Sequence, residues 1–319
     1  MRNRPTPRAL LAAVAGALAV GALTACGDDA PSAGAGPDQL DIVAAFYPLQ
    51  FVAEKVGGEA VHVTNLAKPG AEPHDLELNA DQVARIVDAK VIVYLAGFQP
   101  AVDEAIEQQG GDRAFDVATA VPLLDATDAG HSHEGEEAPD EHEEEAGAKD
   151  PHVWLDATRL ATVGDKLAER LGQADPDNAA GYTSRAASLR SELDALDKEY
   201  AAGLQNCERR EIVTSHSAFG YLADRYDLEQ IGITGLTPED EPSPQRLAEV
   251  ATEAREHKAT TIFFETLVSP KVAETIASEV GAKTAVLDPI EGLQPGTSDD
   301  YFSVMRKNLA VLKPALGCT

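Results

Sequence analysis

The chain is poor in positive charge: 26 lysines and arginines stand against 54 acidic residues in 319, a formal net charge of −28. Such a surface repels nucleic acid and gains nothing from anionic lipid. It suits a cation as partner, although solubility alone accounts for acidity equally well. Long apolar runs are also scarce. Only ALLAAVAGALAVGALTA, residues 9–25, is long and uncharged, and no later run is long enough to span a bilayer. Catalytic signatures are missing too. No HExxH occurs, since His133 and Glu134 are followed at position 137 by Glu, and there is no G-x-S-x-G nucleophile turn. There are three cysteines, Cys26, Cys207 and Cys318.

The first apolar run follows Arg2, Arg4 and Arg8 and closes in LTAC at Cys26. A basic start, an Ala/Gly-rich stretch and an immediate polar continuation indicate a secretory signal over 1–25, not a spanning helix. A Cys directly after Leu-x-Ala reads as a lipobox, with Cys26 acylated and residues 26–39 as a flexible tether. Ordinary cleavage near Ala25 with a free Cys26 is the alternative. Removing three arginines and no acid would take the net charge to about −31. In an exported protein the remaining pair, Cys207 and Cys318, reads as one disulfide, the alternative being two buried thiols.

Short apolar runs alternate with amphipathic segments. Strands are expected at 40–46, 60–66, 91–97, 211–215, 228–233, 260–265 and 284–288, with helical patterns at 81–89, 243–257 and 269–281. The fold class is therefore α/β with mainly parallel sheets. Residues 176–203 break the alternation. Tyr182, Ala186, Leu189, Leu193, Leu196 and Tyr200 recur at spacings of three and four, one stripe of a long helix. Asp175 is expected as its N-cap and Pro176 as its first residue. The helix reads as a rigid strut over 175–205, between an N-terminal α/β lobe (40–174) and a C-terminal one (206–319), each with about four strands. Residues 125–149 form one long loop; eight of the twelve residues from Glu134 to Glu145 are acidic, so it is expected to be disordered.

Four stretches carry chemistry: GAEPHDLEL with His74, DPHVWLD with His152, EIVTSHSAFGYL with His216, and TAVLDPIEGL with Asp288. Each sits where a strand or loop hands over to a helix, the edge at which open α/β sheets bind ligands. Three imidazoles and one carboxylate form an N3O set suited to tetrahedral zinc, whereas manganese and magnesium favour oxygen-rich shells. Taken singly, each His reads more readily as structural than as a ligand. His62, within a strand, and His257, on a polar helix, belong to that ordinary class.

Taken together and in order, LTAC, PHDLEL, the His/acid-rich loop, DPHVWLD, VTSHSAFGYL, GLTPEDEPSP and LDPIEGL resemble the zinc-uptake (ZnuA/TroA-like) branch of bacterial ABC-transporter solute-binding lipoproteins. The resemblance spans nearly the whole chain beyond the signal. It implies two α/β lobes joined by a backbone helix, a buried metal site between them, and His74, His152, His216 and Asp288 as ligands. It further implies a monomer, lipid-anchored on the extracytoplasmic face of the membrane, that delivers Zn2+ to an ABC permease and its ATPase. The chain departs from the pattern at Pro73, where some zinc members carry an acid; Glu72 is displaced by one. His131, His133 and His142 resemble a metal-gathering loop, with a solubilising insert as the alternative. Glu265 and Asp156 are candidate partners orienting imidazoles. Two other functions use the same site: a zinc-binding adhesin, or a zinc chaperone for an exported metalloenzyme. A zinc hydrolase would need an open coordination position for water.

Overall fold

The computed structural model describes residues 39–126 and 148–319. Cys26, the expected signal and tether up to residue 38, and His131, His133 and His142 lie outside the described residues.

Each half of the described chain is built on one four-stranded sheet. In the first, β1 (Leu40–Ala44), β2 (Val61–Asn65), β3 (Val91–Tyr94) and β4 (Ala114–Asp116) run parallel in the order β2-β1-β3-β4. In the second, β5 (Glu211–Thr214), β6 (Glu229–Gly232), β7 (Thr261–Phe264) and β8 (Lys283–Val286) repeat the order as β6-β5-β7-β8. Parallel pairing needs crossovers. Those of the first lobe are α1 (Tyr47–Gly57), α2 (Ala80–Asp88) and α3 (Pro100–Gln109); those of the second are α6 (Gly220–Tyr226), α7 (Pro244–Glu256) and α8 (Lys271–Val280). Seven strands coincide with the expected apolar runs. The eighth, β4, is three residues, AFD, too short to carry a periodic signal.

The two orders share one property. Each sheet reverses direction beside its first strand, between β1 and β3 and between β5 and β7. Such a switch point opens a crevice at the carboxyl ends of the strands.

Three helices bind the halves together: α4 (Ala157–Ala174), α5 (Ala179–Leu204) and α9 (Tyr301–Leu316). At 26 residues α5 is about 39 Å long, and its buried stripe is Tyr182, Ala186, Leu189, Leu193, Leu196, Tyr200 and Leu204. Its start differs from expectation. Residues Pro176–Asn178 form a single 3-10 turn, and Asp175 makes no side-chain cap. Its carboxylate instead accepts from Tyr182 Oη (2.6 Å) and Asn178 Nδ2 (2.8 Å). Arg185 ties α5 to the first lobe, donating to Val56 O and Gly57 O at the last turn of α1 (2.7 and 2.8 Å), where free carbonyls favour a cation. Tyr200 Oη ties it to the second, donating to Met305 O on α9 (2.6 Å). Cys207 and Cys318 form a disulfide that closes the second lobe across 111 residues. Among the described residues no helix is long and apolar enough to cross a membrane.

Candidate metal site

Each site residue stands on a loop leaving one of the two crevices. His74 lies between β2 and α2, and His152 between β4 and α4. His216 follows β5 by two residues, and Glu265 is the first residue past β7, so these two flank the switch point of the second sheet. Glu291 lies between β8 and α9.

The approach of the two lobes at this place depends on glycine. Gly70 has φ +84°, a conformation L side chains rarely adopt. Its N–H donates to Leu293 O of the other lobe (2.8 Å), and a Cβ here would lie 2.9 Å from Pro295. The loop bearing His74 therefore lies against the loop bearing Glu291.

His74, His152, His216 and Glu291 each offer one ligand atom, and those atoms lie within 4.8 Å of one another. All four side chains are buried, His152 fully. The Nε2 atoms of His74, His152 and His216 lie 3.4, 3.2 and 3.2 Å from the same oxygen, Glu291 Oε1. One carboxylate oxygen has two lone pairs and cannot satisfy three ring nitrogens, even were all of them protonated. His152 Nε2 indeed reaches the oxygen without a hydrogen-bond geometry, and Glu291 Oε2 has no partner. Buried polar atoms left this way mark a place where another group belongs, and a cation among three nitrogens and a carboxylate satisfies them all.

The far side of two rings is fixed. His152 Nδ1 donates to Asp150 Oδ1 (2.7 Å), whose other contact is His152 N (2.9 Å). His216 Nδ1 donates to Glu265 Oε1 (2.8 Å), which Ser215 Oγ also approaches (2.7 Å). An ionised carboxylate only accepts, so the proton of each neutral imidazole sits on Nδ1 and the lone pair of Nε2 faces the centre. Carboxylates behind metal-binding imidazoles serve this purpose in general.

The electrostatics follow from that crowding. Burial alone would push His216 down, but the charges and hydrogen bonds of Glu265 and Glu291 outweigh it and the group is raised to about 10. His152 is raised too, burial being opposed by Asp150 and Glu291. Burial pushes Glu291 up, yet the three imidazoles hold it well below the usual carboxylate range. Beside them Glu72 is raised to about 9, by burial first and then by Glu291 and Glu239. Glu72 Oε2 accepts from His74 N (2.8 Å), which places this carboxylate under the loop bearing His74.

Two expectations need correction. Asp288 is not in the converging set. Its Oδ1 accepts from Ile290 N (2.7 Å) and its Oδ2 from Thr266 Oγ1 (2.7 Å), so both oxygens are engaged and Glu291, three residues on, faces the imidazoles instead. Asp156 touches no imidazole. It caps α4, accepting from Thr158 N (2.8 Å), and pairs with Arg159 (3.3 Å); Asp150 holds His152. His62 and His257 lie elsewhere, paired with Asp41 (2.9 Å) and Glu211 (3.0 Å).

Among the described residues, fold and site together define a two-lobed protein with one buried group of side chains able to hold a divalent ion. A family model described as "Zinc-uptake complex component A periplasmic" matches residues 42–315, and the chain belongs to that family. It is similar to the zinc-binding protein AdcA of Streptococcus pyogenes serotype M3, 36% identical over 286 residues, 86% of this chain and 56% of that protein. The chain thus spans little more than half the length of the streptococcal relatives. The high-affinity zinc uptake system protein ZnuA of Bacillus subtilis is 35% identical over 299 residues, 92% of this chain and 93% of that one. Among solved structures, the Zn(II)-bound ZnuA-like domain of Streptococcus pneumoniae AdcA gives a TM-score of 0.72 at 33% identity, covering 87% of this chain and 99% of that one. The laminin binding protein of Streptococcus agalactiae, described as bifunctional with adhesin and metal transporting activity, gives 0.75 at 30% identity with the same coverage.

Proposed function

We propose that the chain captures Zn2+ outside the cytoplasm with high affinity and passes it to an ABC importer. The observation that carries the reading is the convergence of His74, His152, His216 and Glu291, buried and drawn from both lobes. In this reading the three imidazoles and Glu291 are the ligands, and zinc is cargo, not a reagent. Four protein ligands fill a tetrahedral zinc, which favours a binding protein over a hydrolase; the names of the relatives point the same way. Family membership supports an ABC permease and its ATPase as partners. The expected segments remain part of the proposal: signal 1–25, acylated Cys26 with tether 26–39, lobes 40–174 and 206–319, helix 175–205, and a monomeric protein held at the membrane surface. A pneumococcal relative is called a lipoprotein, in keeping with acylation at Cys26.

The adhesin reading rests on likeness to the laminin-binding protein alone. The loop histidines His131, His133 and His142 are proposed to gather metal by raising cation concentration near the cleft, an effect that salt weakens. Deleting 131–147 then lowers total zinc bound while leaving one tight site. The test of the main reading is zinc accumulation by cells lacking the gene under zinc limitation. Wild-type protein restores uptake and His216→Ala does not; equal restoration by both contradicts it.

A further inference from the structure

Glu291 reaches the imidazoles through an unusual turn. Ile290 has φ +62° and is fully buried, and a β-branched residue in the left-handed region is a genuine outlier. Such a conformation persists only where its surroundings over-determine it. Asp288 supplies much of that constraint. Its Oδ1 accepts from Ile290 N (2.7 Å), the contact of an aspartate two residues before a turn amide. Thr266 Oγ1, just past β7, holds the other oxygen (2.7 Å). Buried Asn308 on α9 grips the same residue's backbone, accepting from Asp288 N (3.0 Å) and donating to Asp288 O (2.7 Å). Trp154 Nε1 of the first lobe donates to Pro289 O (2.6 Å). Every residue from Asp288 to Ile290 is pinned, and Glu291, next in the chain, is the one whose Oε2 is without a partner.

We propose that Asp288 is a positioning residue for the ion: by locking the left-handed turn at Ile290 it fixes the reach of Glu291, and so sets both the affinity and the geometry of the site. With the turn locked, Glu291 presents Oε1 to three imidazoles, a compact set suited to a four-coordinate ion. With the turn released, the carboxylate swings and the site tolerates larger ions of higher coordination number such as manganese. The inference rests on the reading that Glu291 and the imidazoles bind the metal.

The experiment compares wild type, Asp288→Ala and Asp288→Asn by zinc titration against a chelator, by manganese competition, and by the visible absorption of the Co2+-loaded protein. Asp288→Ala is expected to weaken zinc roughly 10- to 100-fold, as loss of a partner orienting a ligand does, to narrow the preference over manganese, and to alter the Co2+ spectrum. Asp288→Asn keeps an oxygen for Ile290 N and stays close to wild type. A purely structural role would lower the melting temperature without moving the Co2+ spectrum. Unchanged affinity in Asp288→Ala overturns the inference. So does Asp288→Asn as weak as Asp288→Ala, which would make the carboxylate a ligand itself. If Asp288→Ala does not fold, Thr266→Val, which frees one oxygen only, takes its place: weaker zinc supports the inference and unchanged zinc overturns it. Wild-type protein that takes up neither zinc nor Co2+ instead defeats the proposed function, a distinct result.

Discussion

Glu265 Oε1 lies 2.8 Å from Nδ1 of His216, and that contact both fixes the ring and makes it a stronger base. The same carboxylate that aims the Nε2 lone pair at the centre also favours the protonated ring. A metal entering the site must therefore displace a proton.

That competition gives a pH prediction. With His216 raised to about 10, the metal-free protein carries its proton at neutral pH. A raised pKa contributes stability that is fully present below the unfolded value, near 6.5, and is lost as pH rises through the folded one. The melting temperature of the metal-free protein is expected to fall between neutral pH and pH 10, while zinc affinity rises over the same window. Zinc binding at pH 7 releases protons, so calorimetry in two buffers of different ionisation enthalpy gives different heats. Identical heats would contradict it.

Removing the carboxylates behind the rings tests orientation. Glu265→Gln and Asp150→Asn each leave Nε2 of the ring untouched, yet zinc affinity is expected to drop roughly 10- to 100-fold. The two act on different rings, His216 and His152. Chelator competition reads the loss, and an unchanged affinity in both would deny them this role.

Trp154 offers an optical reporter. It is the chain's single tryptophan, fully buried, with its ring centroid 5.3 Å from that of His152. Zinc binding is expected to change its fluorescence in proportion to occupancy, saturating at one equivalent. A signal indifferent to zinc would argue against an ion at His152.

The disulfide is expected to matter for stability and not for zinc. Closing a loop of 111 residues contributes about 4–5 kcal/mol in the chain-entropy model. Both cysteines lie near the ends of the second lobe in the chain, and neither is among the converging ligand atoms. Replacing Cys207 and Cys318 with serine lowers the melting temperature by several degrees or more and leaves the chelator-competition curve where it was.

Much of this was legible in the chain. The parallel strands are apolar runs long enough to see, and the α5 stripe is periodic over five turns. The three histidines stand at handovers from strand or loop to helix, where chain topology forces ligands to gather. What the sequence hid lies in the short turns. AFD is too brief to announce β4. LDPIEGL offers two carboxylates three residues apart, and by position alone the one at the strand end, Asp288, is the better placed. The turn chemistry decides otherwise. An aspartate before proline bonds the amide two residues on, which engages Asp288 and leaves Glu291 free to face the centre. Gly292 beside it packs closely, since a Cβ there would lie 3.2 Å from Leu267 Cδ1. Asp150, in the same heptapeptide as His152, holds the ring, while Asp156, whose position before a helix marks it as a cap, does not.

The most direct measurement is a zinc titration of the purified protein against a competing chelator, beside His152→Ala, His216→Ala and Glu291→Gln. Wild type is expected to hold one ion tightly, and each substitution to weaken it by tenfold or more, about the loss of a single good ligand. A wild-type protein that takes up no zinc, or substitutions that bind it as tightly as wild type, would contradict the account.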